Sequence, residues 1–485
     1  MHVLFLAAEA EPFVKIGGLA DVAGALPVAI HGISRNIAKI NKIDIRMVLP
    51  FHFAIKQSGV ALKFLGEYFI KKGQLDLRCK VYQSRKGDVP VYFIDGPPLS
   101  GNRAVYSQNP LHDGDKFSFF SLAALRLAEF LDWRVDILHT NDWHTAPAIA
   151  ALKILYRSSK HFSSTKALHT LHNLPFMGGK NFKILSQYLL SPSDDPNLPQ
   201  WARQLPLPLG LSYTDKIVVV SPNYASEIMT EEHGCGLEGF LQNRKDIVSG
   251  ILNGIDTTQW NPETDPFISQ NFTSHTLNKR SINKHFLLQQ YNLPDSERVP
   301  LLILISRMDP QKGIDIAVQG LQDCADLPWQ AILLGTGDPC LENLVLALQR
   351  KFPNRVRTLI EFNTTLAHQL YAGGDILMMP SRFEPCGLSQ MIAMCYGCLP
   401  LATATGGLKD TIIPIEYGDN VGTGFLFEQP NSASFSESIR QAINIFRDPG
   451  QWQQFQKNAM QSDFSWHKSA LEYIHEYKAL LECRD

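Results

Sequence analysis

Residues 3–27 read VLFLAAEAEPFVKIGGLADVAGALP, and the fold follows from how this stretch divides. The apolar run 3–8 has the character of a parallel strand buried on both faces. Leu19, Val22, Ala23 and Leu26 then recur at helical spacing. Between the two lies a loop carrying Lys15, Gly17 and Gly18. Strand, glycine-bearing loop and helix make the first half of a βαβ unit. Glycines ahead of a helix start let the backbone approach a ligand, and free N–H groups there favour phosphate, with lysine adding a point charge. The spacing is neither G-x-G-x-x-G nor that of a P-loop, so neither motif's meaning transfers.

The same alternation runs through the chain. Strand candidates in the first half are 3–8, 44–50, 89–95, 135–140, 166–172 and 216–222; in the second half they are 301–306, 330–335, 356–361, 375–380 and 398–403. Most are continuous apolar runs, and their alternation with helices implies right-handed crossovers and two doubly wound α/β sheets in tandem. The length of 485 residues asks for two cores. Asn-Gly, Asn-Pro and Asp-Pro pairs within 249–267 mark the boundary. Near the C-terminus, Trp466, Ala470, Tyr473, Ile474, Tyr477 and Leu481 form the stripe of an amphipathic helix docked on a domain surface.

A formal net charge of −2, from 45 basic and 47 acidic residues, advertises neither a nucleic-acid nor an anionic-membrane partner. No apolar run approaches the ~18 residues that span a bilayer, and no basic region precedes the first apolar segment as in a signal peptide. The eight cysteines (79, 235, 324, 340, 386, 395, 398 and 483) are scattered, which favours reduced thiols. Cys395 and Cys398 form C-x-x-C without a second ligand pair, so they read as small buried residues near a helix end rather than a zinc site.

Ligands of open parallel sheets bind outside the carboxyl ends of the strands. Besides the Lys15 loop, four features fall there. In SRMDPQKG, Arg307 and Lys312 follow strand 301–306 and precede a helix, as suits a diphosphate. In PSRFEPCGLSQ, strand 375–380 delivers Glu384, which could oppose a developing positive charge or accept a hydrogen bond from a sugar. Thr405, Gly406 and Gly407 form a second glycine loop at a helix start. His144 and His172 follow strands of the first half and share the rim with Lys15. Together these features describe a cleft between two domains that holds a diphosphate and a sugar.

The motifs KIGGLADV, NDWHT, LHNLPFMGG, VVSPNYASEI, GILNGID, SRMDPQKG, LLGTGDP, SRFEPCGLSQ and TGGLKDT run from residue 15 to about 411. In this order they resemble bacterial glycogen synthases and plant starch synthases, the retaining glucosyltransferases of family 5. The resemblance implies a GT-B fold of two Rossmann-like domains, 1–254 on the acceptor side and 255–461 on the donor side, with 462–485 as a helix returning to the first. It also implies transfer of glucose from ADP-glucose, or less often UDP-glucose, to the non-reducing end of an α-1,4-glucan, without cofactor or metal, in the cytoplasm or a plastid stroma.

By the same resemblance Glu384, Arg307, Lys312 and His172 form the catalytic set. Lys15, Gly17, Gly18, Asp21, Asn253, Phe362, Cys386, Gly387, Leu388, Thr405, Gly406 and Gly407 would contact the donor, and Asp142 and His144 would line the acceptor channel. Some positions depart from the family pattern: Phe362 replaces a frequent tyrosine, Thr403 a frequent arginine and Cys395 a frequent basic residue, while 33–43 reads as an insertion. Sucrose- or trehalose-type transferases carry a second glutamate where this chain has Ile392, which weighs against them. The alternative of another class is a weakly active paralogue that holds glucan as a primer or regulatory partner.

Overall fold

A computed structural model describes residues 1–36, 42–101, 103–179, 182–416, 418 and 420–482. Cys483 and positions 37–41 of the expected insertion lie outside the described residues. The chain forms two compact units, Met1–Gly254 with the helix Trp466–Glu482, and Ile255–Ser465.

The sheet of the first unit contains β1 (His2–Leu6), β2 (Asp44–Pro50), β3 (Lys63–Lys72), β4 (Leu75–Lys86), β5 (Val89–Asp95), β6 (Ile137–Asn141), β7 (Lys166–Leu171), β8 (Lys216–Val219) and β9 (Val248–Gly250). Their order is β3-β4-β5-β2-β1-β6-β7-β8-β9. Pairings from β5 through β9 are parallel, and β3 and β4 extend the edge as an antiparallel hairpin. Side chains alternate across β1 and β2. Leu4, Leu6 and Val48 face one core with the helices Pro110–Phe130 and Pro147–Ile154, while Val3, Phe5, Met47 and Leu49 face another with the helices Gly18–Asn36 and Trp466–Glu482.

A buried polar chain ties the C-terminal helix to this sheet. His139 on β6 meets the Tyr477 hydroxyl through Nδ1 at 2.6 Å and Thr170 through Nε2 at 2.8 Å, and Thr170 meets the Tyr473 hydroxyl at 3.2 Å. Buried hydroxyls and imidazoles need such partners, so the helix docks in one register.

The second unit carries β10 (Leu301–Ile305), β11 (Gln330–Leu334), β12 (Val356–Leu359), β13 (Ile376–Met379), β14 (Leu399–Thr403) and β15 (Phe425–Phe427), all parallel, in the order β12-β11-β10-β13-β14-β15. Read from β10 as the first strand, this is the doubly wound order 3-2-1-4-5-6. The order in which successive strands are added reverses between β10 and β13 here, and between β1 and β6 in the first unit. These switch points open a crevice at the strand ends, where ligands bind in such sheets.

Among the described residues, eleven of the fifteen strands coincide with apolar runs read from the sequence. The other four, β3, β4, β9 and β15, lack a long apolar run. β3 and β4 pair at an edge with one face in solvent, so their residues alternate. β9 and β15 span only three residues each.

Candidate active site

In the first unit, β1 runs into a buried Glu9. The loop beyond it folds back, with Phe13 and Val14 donating to the Ala10 carbonyl, and places the Ile16 and Gly17 amides on Glu9 Oε2 at 2.5 and 3.3 Å. This corrects the expectation of free amides for phosphate at this loop: an internal carboxylate takes the Gly17 N–H. Gly18 opens the helix on its exposed side. Lys15 pairs with Asp21 at 2.6 Å, so its charge is already partly balanced.

At the end of β6, Asp142 stands in the left-handed region at φ 53°, a strained conformation for a residue other than glycine. Its carboxylate accepts the His172 amide at 2.8 Å, and burial pushes its carboxyl up to about 7. His172, just past β7, donates from Nε2 to Asn141 Oδ1 at 2.9 Å. Asn141 is oriented for this by its own donation to the Leu6 carbonyl. Burial holds His172 down to about 3, so the ring is neutral.

His144 is buried rather than solvent-facing. It is 8% exposed and packed against the rings of Tyr106, Phe117 and Trp143, with centroids 4.9, 4.6 and 4.3 Å away. Its Nδ1 has no partner among the described residues. Asn253, beyond β9, is likewise buried with Oδ1 unpartnered.

In the second unit, Lys312 Nζ lies 2.5 Å from Glu384 Oε2, and Ser381 Oγ donates to the same oxygen at 3.1 Å. The two loops that carry the pair flank the switch point and are fastened together. Arg382 donates its amide to the Gln311 carbonyl and Nη1 to the Pro310 carbonyl, and it forks onto Asp315 at 3.0 and 2.7 Å. Gln311 Nε2 returns a bond to the Phe383 carbonyl at 3.1 Å. Gly313, at φ 64°, has no room for a Cβ, which would lie 1.9 Å from the Pro380 oxygen. Arg307 follows β10 with its guanidinium mostly exposed and 3.2 Å from Asp309.

The Gly406–Gly407 loop, at the helix Gly406–Thr411, also differs from expectation. A Cβ on Gly406, at φ 45°, would lie 2.0 Å from the Glu384 oxygen, and one on Gly407 would lie 2.2 Å from that of Cys386. The Gly407 amide is taken up by the Glu384 and Pro385 carbonyls. These glycines therefore let a helix start press on the Glu384 loop. Thr405 occupies the N-cap position of that helix, buried and without a side-chain capping bond. Gly387 adopts φ 74°, and Gln390 binds the Cys386 and Gly387 carbonyls ahead of Leu388 and its helix. Phe362 is 80% exposed beyond β12.

Of the departures, Thr403 is buried with its hydroxyl unpartnered among the described residues, and burial pushes the Cys395 thiol up to about 12. Sequence reasoning missed Glu9, Tyr106, Arg382 and Asp315. It also missed Gly335 and Gly337 after β11, on which a Cβ would lie 1.9 and 2.3 Å from the Ser306 and Met308 carbonyl oxygens beside Arg307. Among the described residues no three His, Cys, Asp or Glu side chains form a metal-binding group.

Residues 2–243 match the starch synthase catalytic domain, and residues 288–461 match glycosyl transferases group 1. The chain is 36% identical to a glycogen synthase of Bacillus cereus, over 99% of this chain and 100% of the relative. It is 36% identical to a glycogen synthase of Desulforamulus reducens, with 99% of both covered. The catalytic domain of starch synthase IV from Arabidopsis thaliana, solved with ADP and acarbose, superposes with a TM-score of 0.88 at 30% identity over 99% of both chains. Sucrose-phosphate synthase from Thermosynechococcus elongatus shares the fold at a TM-score of 0.62 and 18% identity.

Proposed function

The chain belongs to the glycogen and starch synthase family of glucosyltransferases, and from that premise we propose that it transfers glucose from ADP-glucose to the non-reducing end of an α-1,4-glucan in the cytoplasm, with retention and release of ADP. The observation that carries the reading is the Lys312–Glu384 contact at a doubly wound switch point, with Arg307 on the same strand end. The ADP in the similar starch synthase IV structure supports adenine over uracil in the donor.

The chemistry follows from charge. As the glycosidic bond to the diphosphate breaks, negative charge grows on the leaving group and positive charge grows at the anomeric carbon. Arg307 and Lys312 would meet the first and the Glu384 carboxylate the second, so both interactions strengthen toward the transition state. Lys15 would add a further cation for the diphosphate, and its pairing with Asp21 means that donor binding exchanges one anion for another. His172, neutral, would serve as a hydrogen-bonding group to the glucosyl unit rather than as a charge.

The test is donor competition. With a short maltooligosaccharide, ADP-glucose is expected to give ADP and a lengthened chain at a higher kcat/KM than UDP-glucose. Glucan binding with no turnover from either donor would defeat the reading, and a preference for UDP-glucose would defeat its donor assignment.

A further inference from the structure

Glu9 sits at the β1 end of the switch point without belonging to any motif that points to chemistry. It is 2% exposed, yet its carboxylate is not idle: it accepts the Ile16 and Gly17 amides and the hydroxyl of Tyr106. Those amides directly follow Lys15. The Tyr106 end is itself anchored, because the buried Lys116–Asp113 pair at 2.7 Å grips the same loop, Lys116 on the Val105 carbonyl at 2.6 Å and Asp113 on the Ser107 amide at 2.7 Å. A buried chain of groups therefore runs from the helix Pro110–Phe130 through Tyr106 and Glu9 to the Lys15 loop.

We propose that Glu9 is a positioning residue: by receiving the Ile16 and Gly17 amides its carboxylate fixes the loop from which Lys15 meets the donor diphosphate, and protonation of Glu9 loosens that loop. This rests on the donor reading above for what Lys15 meets, but the loop anchoring itself does not. An ionised carboxylate holds amides by charge-assisted bonds roughly twice as strong as neutral ones. Burial pushes the Glu9 carboxyl up to about 7, which puts its proton exchange within the working range.

The groups facing Glu9 explain why that proton is held. Asp21 on the following helix and Asp142 beyond β6 are like charges near it. Lys15 is turned to Asp21. His52, bound to the Ala8 carbonyl, and His144, against Tyr106, are both held neutral by burial.

Amide hydrogen exchange of residues 13–20 tests the anchoring without turnover. After correction for the intrinsic pH dependence, protection of the Ile16 and Gly17 amides is expected to rise about tenfold from pH 6 to pH 8 in the unaltered protein. Glu9→Gln keeps an acceptor but cannot ionise, and should flatten that rise to within about twofold. Glu9→Ala should remove the protection at both pH values, whereas Asp142→Asn should keep the rise. A Glu9→Gln protein that retains the full rise, or a rise lost only in Asp142→Asn, overturns the proposal. With ADP-glucose, the loosened loop should appear as a donor KM that climbs below about pH 7 while kcat moves little, and Glu9→Gln should abolish the climb. If turnover is absent but the exchange result holds, the donor reading fails and the anchoring stands.

Discussion

Lys312 Nζ and Glu384 Oε2 stand 2.5 Å apart, on loops that leave the neighbouring parallel strands β10 and β13. Neither side chain reaches this arrangement alone. The cation closes the 3₁₀ turn Pro310–Lys312 just before a left-handed glycine, and the anion follows Ser381, whose hydroxyl donates to it. A mostly buried pair of this kind is neutralised within the protein, so in the proposed reaction a donor diphosphate would draw on Lys312 only by competing with Glu384. On that proposal the developing sugar cation would offset the competition, because it would give Glu384 a second partner.

Glu384→Gln should therefore leave ADP affinity within a few-fold while turnover falls at least about 100-fold. Lys312→Met should lower turnover to a similar degree, and the double variant should lose far less than the product of the two losses, because both remove one coupled unit. Steady-state kinetics beside ADP calorimetry checks this. A Glu384→Gln protein with most of its turnover removes that residue from the reacting centre.

The Arg382–Asp315 fork predicts a loss of rate without loss of fold. Both side chains are partly exposed, and exposed pairs contribute only about 0–1 kcal/mol to stability. Their bonds nevertheless bracket Lys312 and Glu384, and a small misplacement of reacting groups can cost on the order of 100-fold. Arg382→Ala should reduce kcat about tenfold or more with an unchanged melting curve. Exchanging the two charges, Arg382→Asp with Asp315→Arg, should recover part of the loss. Equal kcat in the single variant and the parent would mean that the loops hold their register unaided.

What the sequence revealed, and what it withheld, divides along physical lines. β1, β2, β10 and β11 are buried on both faces, so burial alone writes them as apolar runs. The β3–β4 hairpin is wetted on one side and leaves no apolar run to read, since Lys63–Lys72 and Leu75–Lys86 alternate. Lys312 and Glu384 were legible because position after a strand and residue type suffice to nominate them. Glu9 in AAEAEP was not, because its significance comes from being buried and from amides seven and eight residues on. Gly406 and Gly407 were legible as a place of close backbone approach, but sequence cannot distinguish approach to a ligand from approach to another backbone.

Gly406→Ala follows from that distinction. A methyl group 2.0 Å from the Glu384 oxygen, on a residue at φ 45°, forces the Glu384 loop away and strains the turn. The expected cost is roughly 1–3 kcal/mol to the second unit, with turnover reduced further than the fraction unfolded explains. Denaturant unfolding and kcat measured on the same sample separate the two. An unchanged kcat would release the Glu384 loop from dependence on this glycine.

The buried histidines of the first unit set its acid limit. Burial holds His52 down to about 4 and His169 and His172 down to about 3, and it holds His139 and His144 well below the ordinary value. A base whose folded value lies below its unfolded value of 6.5 contributes fully above pH 6.5. That contribution is lost as pH falls toward the folded value, by up to about 1.4 kcal/mol per pH unit for each group. Glu9 and Asp142, raised to about 7, act in the opposite sense and lose stability as pH rises through the window above their ordinary values. Five histidines against two carboxyls leave the histidines dominant below pH 6, so the melting temperature of the first unit should fall from pH 6.5 to pH 5. Replacing His139 with Gln, which keeps polar contacts to Tyr477 and Thr170 but cannot take up a proton, should make that fall shallower even where it lowers the melting temperature at pH 8. A slope identical to the parent's would place the acid sensitivity outside this network. Turnover should show no limb from His172 between pH 5 and pH 8, because its ring stays neutral throughout that range.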